Sequence, residues 1–80
     1  MTREEKELLY EIASWHSKEF YNEMVDRWSD ENYSISAQCR SKIRELESEY
    51  IAKYGPLPEW KFINDVWNTM NQLKEELYGE

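Results

Sequence analysis

Apolar residues return along most of this chain at steps of three and four, and no stretch of useful length alternates as a strand does. The cleanest example is the C-terminal third, where Ile63, Val66, Met70, Leu73 and Leu77 draw one stripe along a helix. Trp60, Trp67 and Tyr78 flank that stripe. Beside them runs an uncharged row of Asn64, Asn68 and Asn71, with Gln72 next to it. Pro58 suits the first turn of a helix, where its missing N–H costs nothing, and Gly79 suits the end, so the pattern predicts a helix over about 58–78.

Thr2 followed by Glu5 is a capping-box pair, with Glu4 and Glu7 well placed against the helix dipole. No Gly or Pro then occurs before Gly55, so the polar cluster Ser29-Asp30-Glu31-Asn32 is the natural break, predicting a first helix over about 3–29. Leu9, Ala13, His16, Phe20 and Met24 form its continuous stripe. Leu8, Ile12 and Trp15 widen it on one flank early on, and Tyr21, Val25 and Trp28 on the other flank later. Steps of four drift by about 40° each, so the apolar face rotates along the length. Either this long helix bends near Ser17, or its halves face different neighbours.

Ser34 or Ser36 is the expected cap of a second helix, over about 35–54, whose core face is Ile35, Cys39, Ile43, Leu46, Tyr50 and Tyr54. Glu49 and Lys53 form a favourable i,i+4 pair. Gly55 then offers a left-handed cap and Pro56 prevents continuation. The fold expected for residues 1–80 is one all-α domain, a small three-helix antiparallel bundle connected up-down-up, with a long first helix. The alternative is an extended first helix with a hairpin of the other two, completed by a second subunit.

Composition narrows the function. The chain has 80 residues, and at that size a single core supplies only about 3–5 kcal/mol, so support from a partner or from self-association is reasonable. Four Trp, six Tyr and two Phe are more than a minimal core needs, and such rings are over-used at interfaces. A net charge of −7 argues against direct nucleic-acid binding, which requires basic residues to displace counterions, and against anionic membrane surfaces. It favours a protein partner with a basic surface. The single cysteine forms no internal disulfide and suits a reducing cytosol. No signal-like segment opens the chain, and no apolar run approaches the roughly 20 residues of a membrane span. The expected location is therefore cytoplasmic.

Catalytic motifs are missing from the sequence. Two glycines make no phosphate-cradling loop, and one His with one Cys makes no structural zinc site. A Cys39–His16 nucleophilic pair is conceivable, since both lie on core-facing stripes, but a lone Cys on an apolar helix face is ordinarily a small buried hydrophobe. The expectation is a non-enzyme without metal or cofactor.

Three surfaces are candidates for a partner. Glu19, Glu23, Asp26 and Asp30 stand at i, i+4, i+7 and i+11, an acidic ridge if the first helix continues through them. Arg27, Arg40 and Arg44 are placed to neutralise it, which would make it an ordinary solvated face. Trp60, Asn64, Trp67, Asn68 and Asn71 form a neutral hydrogen-bonding surface with aromatic anchors. Asn competes for backbone groups inside a helix, so a merely solvated face would more readily carry Lys, Glu or Gln. Trp15, Tyr21, Val25 and Trp28 are the candidates for self-association.

In general character this set of features resembles the small inhibitors encoded by phages and mobile elements, nuclease and CRISPR inhibitors among them. The resemblance is one of type and rests on no family motif. It implies a small acidic interaction module that binds and modulates or inhibits a macromolecular partner, such as a basic nucleic-acid-handling protein. The alternative is a self-associating helical structural or assembly protein.

Overall fold

The structure is a computed structural model; it describes the backbone of residues 2–26 and 30–79 and the side chains of 2–21 and 37–79. Its elements are α1 (Arg3–Asp26), α2 (Asp30–Tyr54) and α3 (Ile63–Tyr78), with no strand among the described residues. The all-α three-helix class is as expected.

The helix boundaries differ from the sequence pattern in two places. Asp30 to Asn32 belong to the first turn of α2, so Ser34 and Ser36 lie inside that helix rather than capping it. A helix N-terminus favours acidic residue types, which lets a polar cluster start a helix as readily as end one. At the other end of the chain, Pro58 stays outside α3. The Asp65 carboxylate accepts the backbone N–H groups of Lys61 and Phe62, each at 3.1 Å, and this fixes the helix start at an extended Phe62. Pro56 and Pro58 lack the N–H that a continuing helix would need, so 55–62 forms a non-helical connection between α2 and α3.

Elsewhere the local signals act as read. The Thr2 hydroxyl accepts the Glu5 N–H at 3.2 Å. Gly55 takes φ +100°, and its N–H reaches the Ile51 carbonyl at 3.2 Å, a left-handed cap that a side chain would strain.

α1 is the central element, packing against both other helices, while the described residues of α2 and α3 make no close backbone contact with each other. Glu19 meets Arg40 and His16 meets Glu47, so α2 runs antiparallel to α1. Ser17 meets Trp67 and Tyr10 meets Tyr78, so α3 also runs antiparallel to α1. It follows that α2 and α3 run in the same direction, and the up-down-up order and the α2–α3 hairpin are both replaced by a return strap, residues 55–62. An eight-residue strap spans up to about 26 Å when extended, enough to climb back along α1. Leu57 and Trp60 in the strap fill the space that a third helix contact would otherwise close.

The core is Leu9 and Ile12 of α1, Leu46 and Tyr50 of α2, and Leu73 of α3. Val66 and Leu77 are also buried, so the α3 stripe faces inward, with Ile63 and Met70 at its half-buried edge. α1 has 24 residues and α3 has 16, or about 36 Å against about 24 Å of helix. Because the first turns of α3 lie beside Ser17, α1 continues past them, and Phe20 and Tyr21 are exposed there. The side chains of α1 beyond Tyr21, on which the choice between a bend and two differing halves rests, lie outside the described residues.

Candidate functional site

Two seams flank α1, and they differ in chemistry. Along α1–α2, Arg40 Nε donates to Glu19 Oε1 at 3.0 Å, and His16 Nε2 lies 3.3 Å from Glu47 Oε1. With Ile43, Arg44, Ser48 and Ile51 these groups line an open groove of about 350 Å³. It carries one ion pair, Arg40–Glu19, and one histidine–carboxylate contact beside Ile43 and Ile51.

Of the four carboxylates read as an acidic ridge, Glu19 is the one whose side chain is described. Glu19 is neutralised by Arg40, and Asp30 opens α2, so the four carboxylates do not share one helix. The side chains of Glu23 and Asp26, and that of Asp30, lie outside the described set, as do those of Val25 and Trp28.

Cys39 is completely buried. Burial pushes its thiol up, Glu19 adds to the rise, and Lys18 opposes it. His16 is occupied by Glu47 and by the edge of the Trp60 ring, at 5.5 Å between centroids. A thiol held protonated, with the imidazole engaged elsewhere, does not make an activated nucleophile. No group of three or more His, Cys, Asp or Glu that could hold a metal ion occurs among the described residues. None of the described helices is long and apolar enough to cross a membrane.

The α1–α3 seam is built differently. Tyr10, Ser14, Ser17 and Tyr21 stand at i, i+4, i+7 and i+11 on α1, a single row on one side of the helix. Asn64, Trp67, Asn71 and Tyr78 stand at i, i+3, i+7 and i+14 on α3, with Lys74 at the remaining step. Two contacts join the rows. Trp67 Nε1 donates to Ser17 Oγ at 2.9 Å, and the Tyr10 and Tyr78 rings meet edge-on at 6.2 Å. Ser14 Oγ donates to the Tyr10 carbonyl at 2.9 Å. Trp67 stays 43% exposed and Tyr78 60% despite these contacts, and Tyr21 is 64% exposed. Lys74 stands on the α3 row, and Glu75 lies with Asn71, Lys74 and Tyr78 around one shallow pocket.

Three expected α3 contact residues, Trp67, Asn64 and Asn71, lie on this seam, and Asn68 is exposed just beyond it. Trp60 does not belong to it. Its indole N–H donates to Thr69 Oγ1 at 3.0 Å on the strap side of α3, so it is a clasp between strap and helix. Trp15 is likewise turned away, half-buried against the core with Lys18 Nζ 5.0 Å above its ring. Tyr21 is the self-association candidate that the seam includes. Tyr10, Ser14 and Ser17 were missed because each reads alone as an ordinary boundary residue. The signal was their shared helical spacing with Tyr21.

No protein-family model matches the chain. Nor does any curated protein or solved structure match it.

Proposed function

We propose that this chain is a small acidic interaction module that docks its α1–α3 seam on a protein partner and modulates that partner by occupying it. The observation that carries this reading is the Trp67–Ser17 bond, which holds a large ring half-exposed in the middle of a Tyr, Ser and Asn surface. Tyr and Trp bring contact area at low conformational cost, and Ser and Asn adapt as donors or acceptors, which is the composition of a binding face. A half-exposed ring already fixed by a hydrogen bond loses little freedom when a partner covers it. The net charge of −7 favours a partner with a basic surface around the docked patch, acting mainly on the association rate. Inhibition is the simplest form of such modulation, since binding alone accomplishes it.

Comparing three immobilised proteins against one source extract tests the reading. The wild type and Glu19→Lys should retain the same bound protein, and Trp67→Ala should lose it. Retention by Trp67→Ala together with loss in Glu19→Lys would move the function to the α1–α2 seam.

A further inference from the structure

Residues 56–60 of the strap are fastened to the helices by side chains alone. None of their backbone groups makes a hydrogen bond with another described residue, and Pro56 and Pro58 have no N–H to offer. Backbone bonds resume on either side, from the Gly55 N–H to the Ile51 carbonyl and from the Lys61 and Phe62 N–H groups to the Asp65 carboxylate. What holds the strap down is Leu57 and Trp60, both half-buried against the core, and the bond from Trp60 Nε1 to Thr69 Oγ1. We propose that the strap is a lid, which opens as a unit while the three helices stay packed and uncovers the side of the core between α2 and α3.

The helices keep their places without it. α3 lies on α1 through the buried Val66, Leu73 and Leu77 and through the Ser17–Trp67 and Tyr10–Tyr78 contacts. α2 lies on α1 through the buried Cys39, Ile43 and Leu46 and the Arg40–Glu19 pair. The described residues of α2 and α3 make no close backbone contact with each other, and Leu57 and Trp60 fill the gap between them. Opening therefore gives up two half-buried side chains and one hydrogen bond, whereas global unfolding gives up the whole core. The smaller loss is the more frequent event.

Both ends of the strap suit this motion. Gly55, at φ +100°, has no side chain to confine its backbone, so it can act as the hinge. Asp65 keeps Lys61 and Phe62 anchored at the start of α3. The closed strap does not seal the space beneath it either. A cavity of about 400 Å³ runs from Pro58 to Thr69 over the buried Leu9 and Leu73. When the strap lifts, this cavity joins the space that Leu57 and Trp60 leave, which makes one apolar groove between α2 and α3.

Native-state hydrogen exchange in sub-denaturing urea tests the lid on the unaltered protein. The Trp60 indole N–H reports the strap, and the backbone N–H groups of Ile12, Leu46 and Leu73 report the helices. Global unfolding exposes most of the chain, so the three core amides should exchange about fivefold faster or more per molar urea. Opening the strap exposes little, so the Trp60 indole should change by less than about twofold per molar urea and be the less protected group. Trypsin cleavage after Lys61, which is exposed at the end of the strap, should show the same weak urea dependence, because cleavage follows the population of the open form. A Trp60 indole with the urea dependence of the core amides overturns the proposal. So does cleavage after Lys61 that tracks the core amides while the indole does not, since that pattern is a ring flip under a closed strap. The lid does not rest on the α1–α3 seam, and either result leaves the capture comparison with Trp67→Ala standing.

Discussion

Both tryptophans of the C-terminal third donate their indole N–H to a hydroxyl, yet they serve opposite purposes. Trp60 is packed against the core and bonded to Thr69, which itself donates to the Asp65 carbonyl at 3.0 Å. Trp60→Phe should therefore lower the unfolding free energy by about 1 kcal/mol in a urea titration, since a part-buried hydrogen bond is lost. The same change at the more exposed Trp67 should cost about half as much while impairing docking. Cys39 and Tyr50 give a second test at this scale. Burial is the main cause of the rise in both, and Glu5 adds to it for Tyr50. A group whose folded value is raised contributes stability that is complete below its unfolded value and is lost as pH climbs through the folded one. Stability should thus fall as pH rises past about 8.5, where half of an unfolded thiol is ionised. Cys39→Ala should remove the first part of that decline. For the same reason the folded thiol should resist a disulfide reagent at neutral pH and react once urea is added.

The elements owe their limits to a few backbone contacts, and those limits are testable. Gly55→Ala meets no atom within 4 Å, but φ at +100° is strained for any side chain, so the substitution should cost about 1 kcal/mol or more despite the open space. Asp65→Ala should cost about 1 kcal/mol by releasing the Lys61 and Phe62 N–H groups, read as a lower midpoint in thermal unfolding. The α3 stripe, the Gly55 corner and the pairs Glu49–Lys53 and Glu19–Arg40 were legible in the sequence, because each depends on residues related by helical spacing or by a simple antiparallel register. The start of α3 was not. Pro58 fits a first turn, but so does Asp65 three residues after Phe62, and local rules do not rank one against the other. The direction of α3 was equally hidden. A corner of Gly and two Pro permits a tight reversal or an extended strap, and Leu57 and Trp60 decide it only by where they pack. The seam was half legible. Its α3 row stood out by its amides, whereas its α1 row becomes visible once α3 is known to lie beside Ser17.

At the scale of the whole molecule, one helix carries two dissimilar seams over a shared core. The core is small, with Ile12 completely buried between α2 and α3. Ile12→Ala removes about 2–5 kcal/mol, comparable to the whole stability of a domain this size, so the isolated variant should be largely unfolded by circular dichroism. The part-exposed ion pairs of the α1–α2 seam contribute little by comparison, and Arg40→Ala should cost under about 1 kcal/mol. The central claim is that the α1–α3 seam, with the half-exposed Trp67 ring at its middle, is the face through which this protein meets another molecule. The most direct measurement compares what the immobilised wild type and a Trp67→Ala protein, its helicity checked by circular dichroism, retain from one source extract. The expected result is a bound protein that the wild type keeps and Trp67→Ala loses. Equal retention by the two would contradict it.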